Sequence, residues 1–92
     1  MNIFSKYTTI KTPKSGAKIK APTSVIESVY NAGYRISTSN GGRYASVYHY
    51  NKKNRKSEYI APLSAFISEN IAGYKDGNGC NLIKSNLIVM KD

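Results

Sequence analysis

Tyr34-Arg-Ile-Ser-Thr-Ser-Asn-Gly-Gly-Arg-Tyr-Ala-Ser-Val-Tyr-His-Tyr50 is the stretch that decides the fold. Two runs rich in β-branched and aromatic residues, 34–38 and 43–50, flank Ser39-Asn40-Gly41-Gly42. Asn and Gly tolerate the positive φ of a tight reversal, so the pattern predicts a β-hairpin. Whether the loop is Asn40-Gly41 or Gly41-Gly42, side-chain parity gives the same two faces. One holds Tyr34, Ile36, Thr38, Arg43, Ala45, Val47 and His49, with Ile36, Ala45 and Val47 making it the expected core face. The other holds Arg35, Ser37, Tyr44, Ser46, Tyr48 and Tyr50, and is aromatic, hydroxyl-bearing and positively charged.

Outward toward the C-terminus, Asn51-Lys52-Lys53-Asn54-Arg55-Lys56 is a basic turn leading to a third strand over 57–61, which completes a three-stranded antiparallel meander. Pro62 suits the first turn of a helix, and Leu63, Phe66 and Ile67 would give that helix an apolar stripe. Leu63, Phe66 and Leu87 are then expected to pack helix, sheet and C-terminal segment together. In Tyr74 to Met90, Lys75-Asp76-Gly77-Asn78-Gly79 has turn chemistry, because Gly supplies positive φ and Asp and Asn bond their own backbone. Lys84-Ser85-Asn86 allows a short helical turn, and Leu87 to Met90 is an apolar run of strand type.

This last segment resembles the core of the HNH homing endonucleases, the small metal-dependent nucleases common in bacteriophages and introns. That family's motif runs Asp-His-x-Asp-Gly-Asn, two residues, Asn-Asn, then four residues later Asn-Leu-x-Val or Asn-Leu-x-Trp. Asp76-Gly77-Asn78, Asn81, Asn86-Leu87 and Val89 fall in its register. The family's Asp-His pair, which binds the metal and activates water, falls on Gly73-Tyr74, and the second Asn of its Asn-Asn pair falls on Leu82. Its last metal ligand would lie past Asp92. The family's His-Arg-Leu-Val-Ala-x-x-Phe pattern meets Ala61-Pro62-Leu63-Ser64-Ala65-Phe66, which keeps the apolar positions and loses the His-Arg. The resemblance covers about residues 42–90 and implies a degenerate ββα (His-Me finger-like) motif without the metal chemistry. A three-stranded meander followed by a packed helix also resembles the sheet-type DNA-binding modules that accompany these nucleases.

Outward toward the N-terminus, Ser24-Val25-Ile26-Glu27 reads as a capping box. Val25, Ile26, Val29 and Tyr30 then form one apolar helix face, and Gly33 stands at the C′ position. Residues 3–10 read as a strand, followed by turn chemistry at Thr12-Pro13-Lys14-Ser15-Gly16. Lys11, Lys14, Lys18 and Lys20 surround that turn, either as an arm that tracks phosphates or as a charged edge protected against aggregation.

Net charge is +9 over 92 residues, and the basic side chains are concentrated in the first half: residues 1–56 carry +10 and the remainder −1. Such asymmetry points to a polyanion. At 40% hydrophobic residues the chain folds as one domain. No apolar run is long enough to span a membrane, and the N-terminus lacks a signal peptide's apolar centre. The single Cys80 excludes an internal disulfide and fits a reducing cytoplasm, that of a bacterial host. His49, the sole histidine, has no second metal ligand nearby and reads as a packed side chain. No Cys-His pair can be argued from the spacing of Cys80 and His49. Neither catalytic residues, metal nor cofactor are expected.

The expectation is therefore a single α+β domain: a basic N-terminal strand and arm over 1–22, a helix over 23–33, a β-meander over 34–61, and a helix with a degenerate finger over 62–92. Its expected role is non-catalytic binding of nucleic acid, double-stranded DNA first, by a phage-type protein. Lys11, Lys14, Lys18, Lys20, Arg35, Arg43, Tyr44, Tyr48, Lys52, Lys53, Arg55 and Lys56 would form the interface. The competing class is a phage inhibitor that binds a host nuclease or other defence protein.

Overall fold

The computed structural model describes residues 3–12, 16–68 and 70–90 of the chain. Among them are seven strands in antiparallel sheets, one α-helix and three 3₁₀ turns, an α+β arrangement. Strands β1 (Tyr7–Lys11) and β2 (Lys18–Pro22) make an N-terminal hairpin. Strands β3 (Arg35–Ser39), β4 (Tyr44–Asn51) and β5 (Lys56–Pro62) make the meander, and β6 (Ile71–Tyr74) pairs with β7 (Leu87–Val89).

The meander follows its sequence logic. Ile36 pairs with Val47 and Thr38 with Ala45 on one face, while Arg35 pairs with Tyr48 and Ser37 with Ser46 on the other. Asn40, Gly41 and Gly42 take φ of 54°, 67° and 93°, a run that a bulky or branched residue would strain. Across the second ladder Val47 pairs with Ala61 but Tyr48 with Tyr59, so Ile60 is the extra residue of a bulge.

The helix α1 (Thr23–Asn31) starts differently from expectation. Its N-cap is Pro22, no side chain caps it, and the Ser24–Glu27 capping box does not form. β2 runs straight into the first turn, and Thr23 is held from outside. Its amide donates to the Lys6 carbonyl at 3.0 Å, and its hydroxyl shares a 2.7 Å hydrogen bond with Thr8. The other end matches expectation. Gly33 has φ +87°, its amide donates to Tyr30 O, and the Tyr34 amide donates to Val29 O, the paired bonds of a Schellman stop. Val25, Ile26 and Val29 are buried, but Tyr30 is exposed.

Two further expectations need correction. Residues 3–10 are not one strand: Ile3–Ser5 is a 3₁₀ turn before β1. After Pro62, which is still the last residue of β5, only a single 3₁₀ turn, Leu63–Phe66, forms instead of a helix. One turn presents one inward position, which Leu63 takes. Phe66 is left 37% exposed, its ring edge-on to Tyr34 at 6.4 Å.

Two-stranded hairpins are marginal on their own, and residues 79–82 join them to the meander. The Lys20 amide donates to Cys80 O at 2.8 Å, the Leu82 amide to Lys20 O at 2.7 Å, and the Ala45 amide to Gly79 O at 3.1 Å. One core results, built from Ile19, Ala21, Val25, Ile26, Val29, Ala45, Val47, Leu63, Cys80, Leu82 and Leu87. No helix among the described residues is long and apolar enough to cross a membrane.

Candidate nucleic-acid interface

The loop between β6 and β7 is built by the residues that carry the nuclease resemblance. The Asp76 carboxylate accepts from the Asn78 amide at 2.8 Å, from Asn86 Nδ2 at 2.9 Å and from Asn81 Nδ2 at 3.1 Å. Asn86 closes the ring, accepting from the Asp76 amide on its Oδ1 and donating from Nδ2 to Asn81 O. Asn78 Oδ1 accepts from the Cys80 amide, which sets the start of the joining segment. These side chains hold backbone, and their role is architectural.

The same bonds set an acid dependence. Donation from Asn81, then from the Asn78 amide and Asn86, holds the Asp76 carboxyl below its ordinary value of 3.8. A folded-state value below the unfolded one means that the stabilisation is present at neutral pH and is lost as pH falls through the folded value. Asp76→Asn should therefore melt below the wild type at neutral pH, with the gap closing in acid beneath the carboxylate range. A gap that stays constant with pH would show that the carboxylate charge does not hold this loop.

Positions that carry chemistry in the family are differently occupied. Gly73 and Tyr74 line a cleft of about 320 Å³ with Tyr44, Pro62, Ser64 and Ile71. Burial pushes the Tyr74 phenol up, against an opposing hydrogen bond with Ser64. A phenol raised in this way keeps its proton at neutral pH and is a poor base. Burial likewise pushes the Cys80 thiol up, and its sulfur donates to Gly42 O at 3.4 Å. His49 is exposed and not in the core as its parity implied; its ring stands edge-on to Tyr34 at 6.0 Å. Among the described residues no group of His, Cys, Asp and Glu is arranged to hold a metal ion.

The basic residues fall into two sets. Lys11, Lys18 and Lys20 are exposed on the N-terminal hairpin, and Lys20 Nζ lies 6.0 Å from the centre of the Tyr7 ring. Lys14 lies outside the described residues. Arg43 is exposed in the β3–β4 loop. Lys52, Lys53 and Arg55 are exposed in the β4–β5 turn, and Lys56 is exposed at the start of β5. That turn is locally braced: Asn51 Oδ1 accepts from the Lys53 amide, Asn54 Oδ1 accepts from the Lys56 amide, and Arg55 takes φ 55°.

The tyrosine face is divided. Toward the β4–β5 turn, Arg35 is exposed beside Tyr48, which is half-buried and donates its hydroxyl to Thr38 O at 3.1 Å. Toward the other end, Ser46 is buried and bonded to Ser39, and Tyr44 lies against Tyr74 with ring centres 6.5 Å apart. Tyr44 is thus partly a packing residue. Sequence reasoning missed Tyr59, which is exposed and edge-on to Tyr48 at 5.8 Å. The bulge that turns Tyr59 to this face has no local sequence signal. It also missed Lys84, whose Nζ lies 5.9 Å from the centre of the Phe4 ring and whose amide donates to Tyr7 Oη. Comparison of the chain with family models, with curated proteins and with solved structures found no match.

Proposed function

We propose that this protein binds nucleic acid without catalysis, with double-stranded DNA as its partner, in the manner of a phage accessory protein built on a nuclease-derived scaffold. The observation that carries the reading is the β4–β5 turn. Four exposed cations, Lys52, Lys53, Arg55 and Lys56, sit on a braced loop beside an open sheet face bearing Arg35, Tyr48, Tyr50 and Tyr59. Fixed cations position a phosphate backbone, while Arg and aromatic side chains on a sheet can reach base edges. The paired strands β6 and β7, with Asp76, Asn78, Asn81 and Asn86 around their loop, support the descent of this segment from a ββα finger. Gly73 and a protonated Tyr74 support loss of its chemistry, so plasmid incubated with Mg²⁺ or Mn²⁺ should remain intact.

A salt titration tests the binding. Each lost phosphate contact lowers the slope of log K against log salt by about 0.9. Lys52→Gln with Lys53→Gln should weaken binding to every duplex and flatten the slope by about 1.8. Arg35→Ala should cost roughly 1–3 kcal/mol on a preferred site and little on random DNA.

A second reading, a phage inhibitor bound to a host defence protein, is favoured by a different surface. Ile88, Val89 and Met90 are an exposed apolar run of the kind protein partners cover. Unchanged DNA affinity in all these variants, together with loss of a host protein from the turn variant, would replace the first reading with the second.

A further inference from the structure

We infer that the cleft bounded by Tyr44 and Tyr74 is a binding site for one nucleobase turned out of its strand. This rests on the nucleic-acid reading for the source of the base, and adds which part of the nucleic acid the chain singles out.

Size and walls suit a flat ring. The cleft offers about 320 Å³. A cavity of about 150 Å³ admits benzene, so there is room here for the one or two fused rings of a base. The space has a local cause. Pairing of β6 with β7 shifts register between Ile71 and Gly73, which leaves Ala72 as the extra residue of a bulge. Ala72 and Gly73 bring no large side chain to the wall. Tyr44 is 41% exposed and Tyr74 half-buried, with their rings 6.5 Å apart and inclined at 46°. Pro62 and Ile71 add apolar surface. A third ring lying on one tyrosine and meeting the other at an angle keeps the offset and tilted arrangements that aromatic groups favour.

The polar groups suit a base edge. Ser64 and Tyr74, both in the lining, are hydrogen-bonded to each other. A hydroxyl carries one donor and two acceptor positions, so their bond leaves one donor and several acceptor positions over. Base edges present donors and acceptors side by side. No residue lining the cleft is charged, which fits an uncharged ring and not a phosphate. The exposed cations Arg43 and Lys75 stand next to Tyr44 and Tyr74 in the chain and are available to the phosphates flanking such a base. The Asp76 carboxylate, in the loop after Tyr74, is taken up by Asn78, Asn81 and Asn86.

Turning a base out costs least where it has no partner, so the test compares a duplex carrying one unpaired adenine with its fully paired counterpart. The readout is the ratio of the two affinities, in which phosphate contacts common to both cancel. Wild-type protein should bind the duplex with the unpaired adenine roughly 5- to 150-fold tighter, the range for one base stacking on an aromatic ring. Tyr44→Leu should remove most of that preference. Ser64→Ala with Tyr74→Phe, which keeps both walls, should reduce it by about fivefold. Equal affinity of the wild type for the two duplexes overturns the inference and leaves the binding reading standing. A preference that survives both variants also overturns it, placing the base elsewhere on the surface. In a second arm adenosine alone is titrated against the ring-proton signals of Tyr44 and Tyr74. Shifts at those rings without binding of either duplex would overturn the strand as the source and assign the cleft to a free nucleoside. No response to adenosine or to either duplex removes the nucleic-acid reading and the inference together.

Discussion

Leu63→Ala is expected to destabilise the protein by about 2–5 kcal/mol, and Phe66→Ala by on the order of 1 kcal/mol. The two residues lie three apart on the same 3₁₀ turn, and sequence periodicity treats them alike. Leu63 is fully buried within the core shared by α1, β4 and the joining segment. Truncation there leaves a cavity that neighbours drawn from several elements cannot collapse to fill. Phe66 is already partly in water, and what it loses is its edge-on contact with Tyr34. A domain of this size has roughly 5–15 kcal/mol in total, so the first change removes a large share of it. At about 4–8 °C per kcal/mol, thermal melts should separate the variants clearly. Equal melting temperatures would mean that Leu63 does not face the core.

The second large effect is expected from Gly79→Ala. A Cβ at position 79 would meet the Tyr44 ring and lie 2.5 Å from the Arg43 carbonyl oxygen and 3.0 Å from Tyr44 Cα. Two of these are backbone atoms of the sheet, which cannot swing aside as a side-chain end could. The Ala45-to-Gly79 hydrogen bond must lengthen or break, and overpacking of this kind costs about 1–3 kcal/mol or more. The loss should be local first, because Gly79 begins the segment that ties the N-terminal hairpin to the meander. Cys80 reports on it directly. Its buried, protonated thiol should react with a thiol reagent only when the segment opens. Labelling in Gly79→Ala should be roughly 5- to 150-fold faster than in the wild type, the population equivalent of that cost. By contrast Gly73, where an added Cβ would make only an ordinary contact with Ile88 at 3.7 Å, should change the labelling rate little when replaced. Equal rates in Gly79→Ala and wild type would show that the segment does not hold the thiol closed.

What this sequence determined by itself was local. Asn40-Gly41-Gly42 could only be a reversal, and alternation then placed Ile36 and Val47 on one face and Arg35 and Tyr48 on the other, as the ladder has them. Gly33 stopped a helix, and Asp76-Gly77-Asn78 made a turn, because positive φ and side-chain-to-backbone bonds are settled within a few residues. The basic β4–β5 turn was legible for the same reason. Tertiary structure decided which positions of a face are covered. Ser46 is buried, its hydroxyl bonded to Ser39, although its face is polar. His49 is exposed although its face is the core face, because the core ends at Val47. Phe66 yields the inward position to Leu63 once the segment shortens to one turn, and Ser24 caps nothing once β2 feeds directly into α1. How the N-terminal hairpin joins the meander was also settled outside either segment. It depends on hydrogen bonds from Lys20 and Ala45 to residues about 60 and 35 positions further along the chain. Burial is a property of which distant backbones meet, and no periodicity in a single strand encodes its partner.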